Sequence, residues 1–427
     1  MRRLTVIAAL LLVAGAARAQ LVPGLPTGPL PVPGLPAIGG VVDDALRVPA
    51  NAARALDDAR RAAIDRLVRD NPGRIELDPA GFPARAHELV VDTPDPSLIA
   101  AAEAKGYRVI ERDEVLGVGF ARLAVPAGKS LKAAIGEIRK LGGAVSADQI
   151  HIASGVETGT PSSPFVPSAV ETRGLAPYRR VSTTLDTNGG ILVGVIDGGV
   201  AGAVLSAGFA GGAPRANDHG TAVASLIAGS GDVRGALPGA RIASADVYGS
   251  DPAGGNATVI AKAIGWMVEQ RVGVVTISLV GPANPVLGRV VAAAQARGLL
   301  IVAAVGNNGP AAPPGFPASY PGVIAVTGVD GKDRALIEAG RADHLDYAAP
   351  GADMLAAGIG GRTFRVRGTS FAAPLAAAVI ARFYRPGGDR AAALARVDAG
   401  ARDLGARGPD RIYGRGLVCG ECRTPPR

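Results

Sequence analysis

From about residue 190 the chain alternates short apolar runs rich in Val and Ile with stretches of helical spacing, and this alternation limits its fold more than any other feature. The runs are Ile191–Ile196, Arg241–Val247, Val274–Leu279, Leu299–Val305 and Val323–Thr327, with helical patterns such as Ala257–Gln270 and Leu287–Ala296 between them. A strand apolar on both sides must be covered on both sides, which calls for helices on each face of a parallel sheet. The expected class is therefore α/β, with a doubly wound, mostly parallel sheet. A length of 427 residues, with 48% hydrophobic and 19% charged, supports a large core in two or three domains. The 60 Gly and 33 Pro predict many turns, and without a Gly-X-Y period they exclude collagen.

The N-terminal part divides by composition. Met1-Arg2-Arg3, the uncharged run Leu4–Ala17 and Ala17-Arg18-Ala19 have the layout of a secretory signal peptide, residues 1–19. Residues 20–49 are Pro- and Gly-rich and read as a linker. Residues 50–73 read as a helical segment stopped by Asn71-Pro72-Gly73. Over 84–155 the order is βαββαβ: strands His87–Asp92, Tyr107–Glu111, Phe120–Val125 and Val145–Ala153, with helices Pro96–Lys105 and Ser130–Leu141. That order suggests a small ferredoxin-like α+β domain. Residues 156–184 read as a second linker, 185–418 as the main domain and 419–427 as a tail.

Several functions are disfavoured. The net charge is +8, but the Arg residues are scattered among acids and aromatics make up only 4%, so no nucleic-acid partner is expected. The apolar start is shorter than a span and no later run reaches spanning length, so stable membrane insertion is not expected. The four His form no H-E-x-x-H pair, which disfavours a zinc hydrolase. Cys419 and Cys422 suit a small disulfide in an exported chain better than a metal half-site. No G-x-G-x-x-G follows a strand, and no G-x-S-x-G elbow exists.

Three segments carry the chemistry. ILVGVID ends in Asp197, and ligands bind beyond the carboxyl ends of parallel strands. His219-Gly220-Thr221 opens the apolar stretch AVASLIAG. Gly368-Thr369-Ser370 opens FAAPLAAAVIARF, with Pro374 read as a first-turn residue. Taken singly, these are a turn acid, a polar helix start and a helix cap. Taken together, VIDGG, HGTAVAS and GTSFAAP, in that order, resemble the subtilisin-like serine proteases over about 185–418, and AAVGNNG (303–309) and YGRGLV (413–418) fit the same family.

The resemblance implies a secreted serine endopeptidase made as a self-processed zymogen. Ser370 would be the nucleophile, His219 its base and Asp197 the group that orients the imidazole. Asn307 and the Ser370 N–H would form the oxyanion hole. Ser278, Leu279, Val280 and Gly281 would offer a strand edge to an extended polypeptide. Gly315 would floor the pocket for the residue preceding the cut, leaving space for a medium or large apolar side chain. The βαββαβ segment would be an inhibitory propeptide acting in cis. The enzyme would be exported to the periplasm or beyond and would work as a monomer. No cofactor is expected, and no acidic cluster supports calcium. Activity should decline below roughly pH 6.5, because a protonated imidazole cannot act as base. One departure stands out: Gly198 occupies a position where the family commonly has Ser or Thr. A catalytically silent binding module of the same fold is the alternative.

Overall fold

The computed structural model describes residues 50–153, 156–158, 190–229 and 231–426. The expected signal peptide, the expected first linker and most of the expected second linker therefore lie outside the described residues.

Helix α1 (Ala50–Asp70) comes first. Its Leu67 and Val68 pack on Ile75, Ile150 and Ala253, and its Leu56 lies against Gly309. Next come β1 (Ile75–Leu77), β2 (Pro83–Asp92), α2 (Pro96–Glu103), β3 (Arg108–Val115), β4 (Val118–Ala124), α3 (Leu131–Lys140) and β5 (Ala144–Gln149). They form an antiparallel sheet in which β2 lies between β5 and β4, β3 flanks β4, and β1 joins the start of β2. This is the expected βαββαβ unit. Asp95 and Ser130 cap its helices by accepting from the Leu98 and Ala133 N–H groups. Leu89, Ile99, Leu123 and Ile138 fill the space between sheet and helices. Strand β2 begins earlier than its sequence suggests. His87, at φ 58°, sits where the register shifts between Ala84 and Leu89, and the bulge breaks the alternation.

The expected strand 145–153 is divided. Strand β5 ends at Gln149 because the chain then leaves its own sheet: Ile150 bridges Asn256, and Gly255 O accepts the His151 N–H at 2.8 Å. The two-residue strand β6 (Ile152–Ala153) pairs elsewhere. The segment expected to open the second linker also starts as a strand, β7 (Val156–Thr158).

The main domain contains β8 (Leu192–Asp197), β9 (Leu205–Gly208), α4 (Asp218–Ala228), β10 (Arg241–Asp246), α5 (Ala257–Glu269), β11 (Val274–Ile277), β12 (Leu279–Val280) and α6 (Pro285–Ala296). It continues with β13 (Leu300–Ala304), β14 (Ile324–Val329), β15 (Tyr347–Pro350), β16 (Met354–Ala357), β17 (Thr363–Arg367), α7 (Thr369–Phe383) and α8 (Arg390–Gly400). Seven strands form one sheet in the order β15-β14-β13-β11-β8-β10-β9, and every pair is parallel. Helices α4, α7 and α8 pack on one face and α5 and α6 on the other. The strand order reverses at β8, so Asp197 ends the strand at the switch point, where open α/β sheets bind ligands.

The antiparallel sheet of the N-terminal unit lies on α5 and α6, with Val90, Val115, Val118 and Phe120 in one apolar cluster with Ile264, Trp266 and Val290. Ion pairs from Lys262 to Glu111 and Asp113, and from Arg289 to Asp92, border this contact. At the other end, Cys419 and Cys422 form a disulfide. Thr424 is fixed too: its carbonyl accepts the Leu355 N–H at 2.8 Å and its hydroxyl the Arg234 N–H at 2.9 Å.

Candidate active site

Asp197 is wholly buried at the end of β8, and its carboxylate meets the imidazole of His219, with Nδ1 at 2.8 Å from Oδ1 and 2.9 Å from Oδ2. The Gly198 N–H donates to the same Oδ1 at 2.7 Å. His219 is the second residue of α4, whose start is fixed by Asn217: its Oδ1 accepts the Gly220 N–H at 2.7 Å. Gly198 has a steric reason. A Cβ there would stand 1.8 Å from Nδ2 of Asn217, so the helix cap occupies the space a Ser or Thr would need. The carboxylate thus keeps a backbone donor in place of a neighbouring hydroxyl.

Ser370 is wholly buried in the first turn of α7. Gly368, at φ 139°, turns the chain from β17 into that helix. The ring of Phe371, next to Ser370, lies 5.4 Å from the His219 ring centroid, so His219 faces the start of α7. Pro374 lies inside the helix, not in its first turn as expected. It has no N–H to give the Ser370 carbonyl one turn back. The Ser278 hydroxyl supplies the missing donor at 2.8 Å, and the Ser370 hydroxyl donates to the Ser278 carbonyl at 3.3 Å. This exchange between two buried serines was not legible in the sequence, although Pro374 was its clue.

Asn307 is oriented from behind. Its Oδ1 accepts the Thr369 N–H at 2.9 Å, which turns the amide nitrogen the other way. Thr369 Oγ1 accepts the Gly306 N–H at 3.1 Å, tying the two segments together. Strand β12 carries Leu279 and Val280, which pair antiparallel with Ala153 and Ile152 of β6. Gly281 exchanges backbone hydrogen bonds with Phe316, at 3.0 and 2.9 Å, and so closes the loop that holds Gly315. Beside Gly315, Cγ1 of Val280 stands 2.8 Å from where a Cβ on that glycine would be.

Two buried groups next to the site have shifted proton affinities. Burial pushes the Asp246 carboxyl up, against the backbone N–H groups of Gly249, Arg215 and Tyr248 that it accepts. Asp246 is the register partner of Asp197 across β8 and β10, and that charge raises it further. Burial pushes the imidazole of wholly buried His151 down to about 4, although the Gln149 and Pro282 carbonyls favour its charged form. Among the described residues no group of three or more His, Cys, Asp or Glu side chains could hold a metal ion, and no helix is long and apolar enough to cross a membrane.

An acid at the switch point of a parallel sheet, a His bonded to it, and a Ser at the start of the helix the His faces are the arrangement expected of a serine hydrolase built on an α/β sheet. The sequence profile of the Subtilase family matches residues 189–416. The chain belongs to that family, the subtilisin-like serine proteases. It is 30% identical to subtilisin BL of Lederbergia lenta over 252 residues, 56% of this chain and 92% of that protein. It is 28% identical to the minor extracellular protease Epr of Bacillus subtilis over 208 residues, 47% of this chain but only 32% of that protein. Against subtilisin amylosacchariticus of Bacillus subtilis it is 31% identical and covers 54% of the relative, so it spans about a third to a half of some relatives it matches. Among solved structures it is similar in fold to fervidolysin from Fervidobacterium pennivorans, with a TM-score of 0.62 and 20% identity over 82% of this chain and 62% of that one.

Proposed function

We propose that the chain is an exported serine endopeptidase made as a zymogen, with Ser370 as nucleophile. The observation that carries this reading is the Asp197–His219 contact at 2.8 Å, made against the helix start that bears Ser370. In the proposed reaction His219 takes the Ser370 proton as Oγ attacks the peptide carbonyl carbon. Asp197 holds the imidazole tautomer and stabilises the imidazolium. The Asn307 amide nitrogen and the Ser370 N–H donate to the oxyanion. The intermediate collapses as His219 returns the proton to the leaving amine, and water releases the acyl group by the same steps.

The zymogen reading rests on two pairings. The chain runs along β12 as far as Ala153 and along β17 from Val156; β12 follows Ser278, which bonds Ser370, and β17 ends at Arg367, just before the helix of Ser370. Self-cleavage falls between those two residues, and residues 84–153 block the cleft until it happens. The substrate is polypeptide.

The test is the Ser370→Ala chain. It should lose peptide hydrolysis and labelling by a fluorophosphonate, keep its circular dichroism spectrum, and stay full length after export. Labelling of a different serine, or processing of the variant at the normal rate, would sink the assignment. A wild-type chain that folds but takes no label would favour the silent binding module.

A further inference from the structure

We propose that Val280 sets the size of the residue preceding the cut and restricts it to Gly, Ala or Ser. This deepens the reading of the site as a peptidase and rests on it. A polypeptide extended along β12 would bring this residue beside Ser370, against β12 and the segments that hold Gly306 and Gly315. These segments are tied to one another and to the helix of Ser370. Ser278, which leads into β12, exchanges hydrogen bonds with Ser370. Gly306 donates to Thr369. The Gly315 loop is joined to β12 through Phe316 and Gly281.

Both glycines would leave room for a side chain, and Val280 takes it. Its Cγ1 stands 3.1 Å from the Cβ position of Gly306 and 2.8 Å from that of Gly315, where Val305 O closes the remaining side at 2.9 Å. The Gly315 distance is below what a real Cβ keeps and the Gly306 distance is at the tight end of real contacts, so the branched side chain packs against both glycines. Val280 is only 8% exposed, and a β-branched side chain is stiff about its first torsion, so it does not easily swing away. A Leu or Phe entering here would have to displace it from a packed position, and overpacking of this kind is costly. The chain's own sequence fits: the residues after Ala153 of the paired strand are Ser154 and Gly155, both small.

The test uses the full chain, exported and left to process itself, and its Val280→Gly and Val280→Ala variants, each titrated with a fluorophosphonate. They are assayed on quenched peptides that differ only at the residue preceding the cut: Gly, Ala, Ser, Leu or Phe. One methylene in such a pocket changes kcat/KM by roughly 10- to 200-fold. Wild type should therefore cleave the Ala and Ser peptides at least about tenfold better than the Leu and Phe peptides. Val280→Gly should raise the Phe-to-Ala ratio by about tenfold or more, with Val280→Ala between. A labelled wild type that takes Phe as readily as Ala overturns this inference alone, as does a ratio that neither variant changes. A protein that takes no label overturns the peptidase reading and this inference with it.

Discussion

A Cβ on Gly198 would collide with Asn217 at 1.8 Å, and Asn217 cannot yield without releasing the Gly220 N–H that it caps at 2.7 Å. Gly198→Ala should therefore cost about 1 kcal/mol or more through the lost cap. It should also lower kcat, because His219 stands two residues beyond Asn217. Gly at a cap position costs only a few tenths of a kcal/mol, so Asn217→Gly alone should be mild and should rescue Gly198→Ala. A double-mutant cycle in thermal melts and kcat checks this; purely additive effects would refute the steric account. His151 gives a second residue-scale prediction. Its ring atoms stand 2.7 Å from the Cβ position of Gly281, and burial depresses its pKa to about 4. The neutral ring is the form that is seated, so its contribution is complete above about pH 6.5 and is lost as the pH falls toward about 4. Asp148, raised by burial, acts in the opposite sense. In the Ser370→Ala chain, hydrogen-exchange protection factors of residues 84–153 should fall by about tenfold or more between pH 7.5 and 5. His151→Gln should flatten that dependence. At this scale Asp197, His219 and Ser370 were legible because each stands where a strand ends or a helix begins. The plug at Val280 was not, since sequence shows a glycine's missing side chain but not which neighbour fills the space.

The starts of α5 and α6 are where the N-terminal unit is held. Asn256 caps α5 by accepting the Val259 N–H, and Asp148 of the N-terminal unit adds a second acceptor, taking the Thr258 N–H at 3.1 Å and its hydroxyl at 2.7 Å. At α6, Asn284 caps Leu287 through Oδ1 while its Nδ2 donates to the Ala147 carbonyl and to Gln149 Oε1. The end of β5 is thus bonded to two helix starts on the enzyme, and a carboxylate at a helix N-terminus is favourable. Asp148→Ala would leave the buried Thr258 N–H without its acceptor, at about 1–3 kcal/mol, while the Thr258 hydroxyl keeps Asn256 Oδ1 at 2.9 Å. In the Ser370→Ala chain it should lower the exchange protection of β2 and β4 by at least about tenfold, with α4 and α7 unchanged. Equal protection in both chains would mean that β5 docks by apolar contact alone. Elements with strong periodicity or a cap were readable in advance: α3, α5 and the central strands fall within a few residues of their expected limits. Strands β9, β15, β16 and β17 were not. They have four or five residues each, and β9 and β15 lie at the edges of the main sheet, so their sequences carry little alternation to read.

Across the whole molecule, seven parallel strands are joined by crossovers, and neighbours in the sheet are distant in sequence. β8 pairs with β11 some eighty residues away, and β14 reaches β15 only past a long loop. Such topologies close long loops before contacts compensate the lost entropy, and they fold slowly. The N-terminal unit is smaller and has two local pairings, β1 with β2 and β3 with β4, beside the distant pairing of β5 with β2, and it presents Val90, Val115, Val118 and Phe120 to α5 and α6. If it folds first, it offers those helices an apolar surface and two sets of hydrogen-bond partners before the sheet beneath them is complete. Residues 190–427 alone, diluted from denaturant, should therefore stay without fluorophosphonate labelling for hours. Residues 50–153 added in trans should restore labelling after their own slow release or degradation. The Asp148→Ala form should do so more slowly, because it has lost the bonds that place α5. The rate should saturate with the concentration of the added unit, as expected if docking precedes sheet closure. If 190–427 alone refolds within minutes to a fully labelled enzyme, the N-terminal unit is only an inhibitor, and the helix-start contacts serve to block the cleft and not to build it.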